Sequence, residues 1–111
     1  TLKSIKNEKG RLVLLFGCGG DREKQKRRIM GEIAVNNADF VIITSDNPRT
    51  ESPMQIINDI LVGVGDKKNF TVIPDRRKAI EYAIANAMAK DIILQIFIKV
   101  SSFLRHFIRQ H

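Results

Sequence analysis

The apolar positions of this chain change their period along its length. Residues 11–16 (RLVLLF) form a short apolar run that stops at Gly17, the pattern of a parallel strand buried on both faces. Asp21 is suited to cap the helix that follows, in which Ile29, Met30, Ile33 and Ala34 recur at helical spacing. Glu23, Lys24, Arg27 and Arg28 fall to its wet faces by their charge. Residues 40–44 (FVIIT) are apolar and β-branched, which predicts a second strand. Ser52, Pro53 and Gln55 then supply a hydroxyl N-cap, a Pro at the first helical position and the amide of a capping box. This second helix turns Ile56, Ile57, Ile60, Leu61 and Val64 inward, and Gly63 and Gly65 are expected to end it.

Residues 70–73 predict a third strand, closed by Pro74. Asp75 caps a third helix whose inward positions are Ala79, Ile80, Ala83, Ile84, Ala87 and Met88. Asp91 leads into a fourth candidate strand at residues 92–94. Strands alternating with helices through short connections define an α/β class. The expected architecture is Rossmann-like and three-layered, with a mainly parallel sheet wound by right-handed crossovers.

A length of 111 residues allows one domain or a piece of one, and 43% hydrophobic residues can build a core. No apolar run reaches the ~18 residues of a transmembrane helix. The lysine-rich start at residues 1–10 lacks the apolar centre of a secretory signal. It also lacks an initiating Met, so the chain is expected to begin inside a longer protein. Cys18 is the only cysteine, which excludes an internal disulfide and fits a reducing compartment. It has no nearby His to act as its base, so a packing or turn role is expected for it.

The net charge of +7 permits an anionic partner. Basic residues gather at Arg22, Lys24, Lys26, Arg27 and Arg28 and again at Lys99, Arg105 and Arg109. No nucleic-acid module accompanies them, and only 6% of residues are aromatic, so stacking platforms are lacking and nucleic acid is not the expected partner. His106 and His111 have no Cys, Asp or Glu at ligand spacing, and no metal site is expected.

The candidate chemistry lies in the turns that leave the strands, where open α/β sheets bind ligands. Asp46-Asn47-Pro48-Arg49 joins the second strand to its helix. Asp46 can hold an ammonium, Asn47 can donate and accept, and Arg49 can grip a carboxylate through two parallel bonds. That set suits an amino acid; a turn bonding its own backbone uses the same residues. Gly17-Cys18-Gly19-Gly20-Asp21-Arg22 leaves the first strand. No Gly-Lys-Ser/Thr follows it, so it is not a phosphate loop, and Arg22 takes the last small-residue position of a dinucleotide fingerprint. An acidic ribose partner would be Asp39 or Asp46. The loop reads as a tight turn or as an anion cradle with Arg22 aimed at a carboxylate or phosphate. Arg22 and Arg49 on neighbouring turns suit a ligand with two carboxylates. Asp75-Arg76-Arg77 reads as a helix cap with solvated charges.

These motifs also carry a resemblance. G-C-G-G-D-R at 17–22 with Lys26-Arg27 and Met30-Gly31, T-S-D-N-P-R-T-E at 44–51 with I-I-N-D-I at 56–60, and P-D-R-R-K-A-I at 74–80 resemble the C-terminal domain of the Mur ligases. The resemblance covers about residues 3–94, and D-N-P-R is similar to the signature of members that add meso-diaminopimelate. It implies a cytoplasmic ATP-dependent peptide ligase of peptidoglycan precursor synthesis. ATP, with Mg2+, would phosphorylate the terminal carboxylate of UDP-N-acetylmuramoyl-L-Ala-D-Glu, and the incoming amine would attack the acyl phosphate. By the same resemblance Arg22, Asp46, Asn47 and Arg49 would bind diaminopimelate, with Arg49 setting specificity, and Asp21 would lie toward the nucleotide. No catalytic residue and no metal ligand falls in this stretch. The phosphate loop and magnesium ligands belong to central and N-terminal domains that this chain does not include, so it is expected to be inactive alone. The alternative is a non-catalytic remnant or an anion- or nucleotide-binding Rossmann-like module.

Against that family the domain is expected to be incomplete at both ends. The D-Y-A-H-T-P opening precedes Thr1, and no G-K-G-H-E follows Leu94. Residues 1–94 are therefore read as a partial amino-acid-binding domain and residues 95–111 as a divergent tail. In the tail Ile96, Val100, Phe103 and Phe107 would line one stripe of a basic amphipathic helix, a membrane-surface or partner helix if in frame. Out-of-frame sequence that happens to suit a helix is the expectation.

Overall fold

The computed structural model describes residues 10–21, 24–87 and 91–96. Strands β1 (Leu12–Phe16), β2 (Phe40–Ile43), β3 (Phe70–Val72) and β4 (Ile92–Ile96) alternate with helices α1 (Gln25–Asn37), α2 (Pro53–Val64) and α3 (Arg76–Ala85). The sheet runs β3-β2-β1-β4, and every neighbouring pair is parallel. Leu14 stands opposite Val41 on one side and Leu94 on the other, and Ile42 stands opposite Thr71. The chain winds outward from β1 to β3 and then returns to place β4 on the far side of β1. That reversal is the topological switch point at which doubly wound sheets bind ligands.

Strand periodicity divides the core in two. Leu12, Leu14, Phe16, Val41 and Ile43 face α1 and α2, whereas Val13, Leu15 and Ile42 face Ala79 and Ala83 of α3. Both faces of β1 are covered, which is why all five of its residues are buried and why its sequence shows no polar alternation. From α2, Ile56, Ile57 and Ile60 complete the larger cluster, each contributing about 1.5–3 kcal/mol by leaving water. The three-layer parallel architecture expected from the sequence is the one observed.

Several local expectations are corrected. Asp21 does not cap α1: the helix starts at Gln25 behind Lys24, with no side-chain cap. Ser52 is the N-cap residue of α2 and Pro53 its first residue, but no capping box forms, because Gln55 Nε2 donates to Asp59 Oδ1 at 3.0 Å instead. Asp75 does cap α3, accepting from the Lys78 amide at 3.0 Å. Gly63 lies inside α2, where a Cβ would overlap the Arg28 carbonyl of α1; Gly65, at φ 60°, ends the helix. Ile29 and Ile84 are exposed rather than inward, as is Ala87, because α1 and α3 each bury a narrower stripe than their apolar content allows. Arg27, assigned to a wet face, is 1% exposed. Met88 lies outside the described residues. So do all tail positions beyond Ile96, and Ile96 itself ends β4 instead of starting a helical stripe.

Candidate functional site

The carboxyl ends of β1, β2 and β3 bring three loops to one edge. Beyond β2, Thr44 is fully buried, its hydroxyl donating to the Pro74 carbonyl at 3.2 Å. The Ser45 amide donates to the same carbonyl at 3.1 Å, so the β2 and β3 exits are tied together. On the other side the Gly20 amide donates to the Asn47 carbonyl at 3.0 Å, which docks the β1 exit onto the same turn.

Asp46 is partly buried and faces Arg76 Nη1 at 3.8 Å. Arg76, read from sequence as a solvated charge at a cap, therefore belongs to this edge; its neighbour Arg77 is 90% exposed and, among the described residues, pairs with Glu81 on its own helix. Asn47 and Arg49 are exposed, and both take left-handed backbone angles, φ 23° and φ 54°. Asp21 does the same at φ 58°. Such conformations cost about 1–3 kcal/mol each outside glycine and persist where surrounding contacts over-determine them, commonly at ligand sites. Arg22 lies outside the described residues, directly after Asp21.

Asp21 is held by the neighbouring loop. Its amide donates to Glu51 Oε1 at 2.7 Å, and its Oδ1 accepts from the Thr50 hydroxyl at 2.6 Å. Asp39, one of the two acids weighed as a ribose partner, stands at the opposite edge of the sheet, where its Oδ2 accepts from the Leu12 amide at 2.7 Å. That removes it from the site.

The feature that sequence reasoning missed is the anchor below these loops. Arg27, on α1, donates through Nη2 to Glu51 Oε1 at 2.7 Å and through Nη1 to Glu51 Oε2 at 2.9 Å. The same guanidinium reaches Asp59 Oδ2 on α2 at 2.8 Å and the Gly19 carbonyl at 3.2 Å. These bonds raise the Arg27 pKa, and the Arg27 guanidinium followed by the Asp21 amide holds the Glu51 carboxyl down at about 2. The signal was present in the spacing: Arg27 precedes Met30, Gly31 and Ala34 on the stripe that α1 buries. Its charge outweighed its position. Cys18, by contrast, is pushed up to about 12 by burial, with Arg27 only partly opposing it, and its Sγ lies 3.4 Å from Met30 Sδ. It packs in the core, where the neutral thiol is favoured.

A parallel sheet with helices on both faces, and ionic loops at its carboxyl edge beside a switch point, defines a doubly wound α/β domain, a class whose ligands bind at that edge. Residues 1–96 match the family described as Mur ligase, glutamate ligase domain, and the chain belongs to that family. It is 52% identical over 94 residues to the UDP-N-acetylmuramoyl-L-alanyl-D-glutamate--2,6-diaminopimelate ligase of Prochlorococcus marinus subsp. pastoris, covering 84% of this chain and 18% of that protein. It is 54% identical over 89 residues to the ligase of the same name from Caldanaerobacter subterraneus subsp. tengcongensis, covering 78% of this chain and 18% of the relative. A solved structure of a ligase of this name superposes with a TM-score of 0.75 at 40% identity, over 85% of this chain and 20% of its own. The chain thus spans less than a fifth of the length of these two relatives.

Proposed function

We propose that this chain supplies the amino-acid-binding side of an ATP-dependent ligase that joins meso-diaminopimelate to UDP-N-acetylmuramoyl-L-Ala-D-Glu in peptidoglycan precursor synthesis. The observation that carries this reading is the grouping of Asp46, Asn47 and Arg49 on the carboxyl edge of a parallel sheet, in a chain about half identical to ligases of that name. Diaminopimelate has an amino-acid head at each end, whereas lysine has one. Asp46 and Asn47 offer partners to an ammonium and a carboxylate. Arg49 offers a bidentate grip on the far carboxylate, and Arg22 is the second cation for a ligand with two carboxylates. Lysine would leave that guanidinium without its anion, and a site built around a charged contact rejects the analogue that lacks it.

In this reading the domain's contribution is positioning: it presents the amine to an acyl phosphate formed on the D-Glu carboxylate. No catalytic group and no phosphate chemistry is assigned to these residues. The 17–22 loop has no Walker lysine, so it is not read as a triphosphate cradle. ATP and Mg2+ would be held by another domain of the same ligase. Asp21, whose Oδ1 is engaged by Thr50, would face the nucleotide only with its second oxygen. No helix among the described residues is long and apolar enough to cross a membrane. A cytoplasmic location follows from the nucleotide-sugar substrate and ATP.

Titrating meso-diaminopimelate, L-lysine and inorganic phosphate into the isotope-labelled chain, read by amide chemical shifts, tests this reading. Shifts at residues 46–49 that saturate at lower concentration with diaminopimelate than with lysine support it. An equal response to phosphate favours a plain anion-binding module, and no response at that turn overturns the assignment.

A further inference from the structure

Resting on that reading, we propose that Arg27 and Glu51 are a positioning pair that locks the 46–49 turn onto the loop ending at Asp21 and thereby sets amino-acid affinity without touching the amino acid. Glu51 follows Arg49 by two residues, so whatever holds its carboxylate holds the end of the turn that carries the specificity arginine. One Glu51 oxygen accepts from both Arg27 Nη2 and the Asp21 amide, each at 2.7 Å. The other accepts from Arg27 Nη1 at 2.9 Å. A single carboxylate therefore joins α1, the β1 exit and the β2 exit. Thr50 adds a second strap by donating to Asp21, and Gly20 a third by donating to the Asn47 carbonyl.

Arginine is suited to this place by its shape. Its planar fork satisfies Glu51 with two parallel bonds while reaching Asp59 and the Gly19 carbonyl with the remaining donor capacity. A lysine ammonium is a point charge on a flexible stem and cannot reach the Gly19 carbonyl, Glu51 and Asp59 together. At position 51 a glutamine would keep one acceptor but turn an amide NH2 toward a guanidinium that has only donors. Arg27 is 1% exposed, so no part of it is available to a ligand. Its influence on the amino acid can pass only through the loops. Asp59 bonds the same guanidinium from within α2, not from a loop, and so separates the anchor's contribution to folding from its contribution to loop placement.

The test compares Arg27→Lys, Glu51→Gln and Asp59→Asn in this chain by thermal melting, diaminopimelate titration and amide hydrogen exchange at Gly20 and Asp21. Arg27→Lys and Glu51→Gln are expected to weaken diaminopimelate roughly tenfold, the scale of a lost charged contact, and to speed exchange at both amides. Asp59→Asn is expected to lower the melting temperature while leaving affinity within about twofold, because the loop bonds to Glu51 remain. Affinity that merely tracks melting temperature across all three variants would reduce the pair to a structural support and overturn the proposal, as would unchanged affinity in Arg27→Lys and Glu51→Gln. Absence of diaminopimelate binding by the unmodified chain would overturn the functional reading alone. The loop lock would then stand or fall on exchange: unchanged protection of Gly20 and Asp21 in Glu51→Gln removes it.

Discussion

The amide of Gly20 donates to the carbonyl of Asn47 at 3.0 Å, so the loop leaving β1 is bonded directly to the turn that carries the candidate amino-acid contacts. Only glycine permits the approach, since a Cβ at position 20 would overlap the carbonyl of Pro48. Gly20→Ala must push the two loops apart. We expect a loss of about 1–3 kcal/mol in urea unfolding, the usual cost of overpacking a close contact, together with weaker diaminopimelate binding.

Arg49 supplies a second prediction. Its left-handed backbone is shared by any non-glycine replacement, so Arg49→Ala removes the guanidinium with little added strain. Diaminopimelate affinity should fall by tenfold to a hundredfold, as charged hydrogen bonds worth about 1.5–3 kcal/mol each imply, while lysine affinity barely changes. Equal losses for both ligands would take Arg49 away from the far carboxylate.

The Glu51 carboxyl titrates at about 2 in the folded chain against an ordinary 4.5, so the unfolded chain binds its proton first as pH falls. The stability that this group contributes is fully present above pH 4.5 and is lost as pH drops toward 2. Melting temperatures measured between those limits should fall more steeply for the unmodified chain than for Glu51→Gln, which has no proton to take up there. Parallel curves would contradict the Arg27 contact.

Cys18 titrates near 12 in the folded state, above its ordinary 9.0, because burial disfavours the thiolate. At pH 8 iodoacetamide should label it slowly in the native chain and rapidly once urea unfolds it. Rapid native labelling would mean that the β1 exit opens readily.

Gly63 lets α2 lie against the Arg28 carbonyl of α1, and Gly31 meets the Ile60 carbonyl from the other side. Gly63→Ala should therefore destabilise by about 1–3 kcal/mol despite alanine's better helix propensity, with denaturant midpoints as the measure. A stabilised Gly63→Ala variant would refute the close contact between these helices.

What the sequence determined by itself was the element order and the burial of the central strands. Those follow from local periodicity, and runs such as LVLLF and FVII have no polar face to offer water. Which residue of each run meets which helix layer was set only by packing. It also carried the Asp75 cap, because an N-cap is made within one turn of chain. The candidate turn at 46–49 was legible as a strand-to-helix connection from its residue types and from its place after a strand.

What only the tertiary structure decided were the contacts between segments distant in sequence. Arg27 and Glu51 stand 24 positions apart, and nothing local distinguishes a guanidinium bonded to that carboxylate from one in water. Asp21 and Ser52 have the chemistry of caps, yet Asp21 is drawn to Thr50 and Glu51, and Ser52 makes no cap bond. Gly63 has the chemistry of a helix end, yet sits mid-interface, because the backbone of α1 arrives there. Asp39 and Asp46 are both candidate ribose partners in the sequence, and the Leu12 amide fixes Asp39 at the amino end of the sheet while Asp46 meets Arg76 at the carboxyl end. Periodicity encodes which side of an element is dry; which partner meets it depends on how the layers close, and that closure sets where these charges meet.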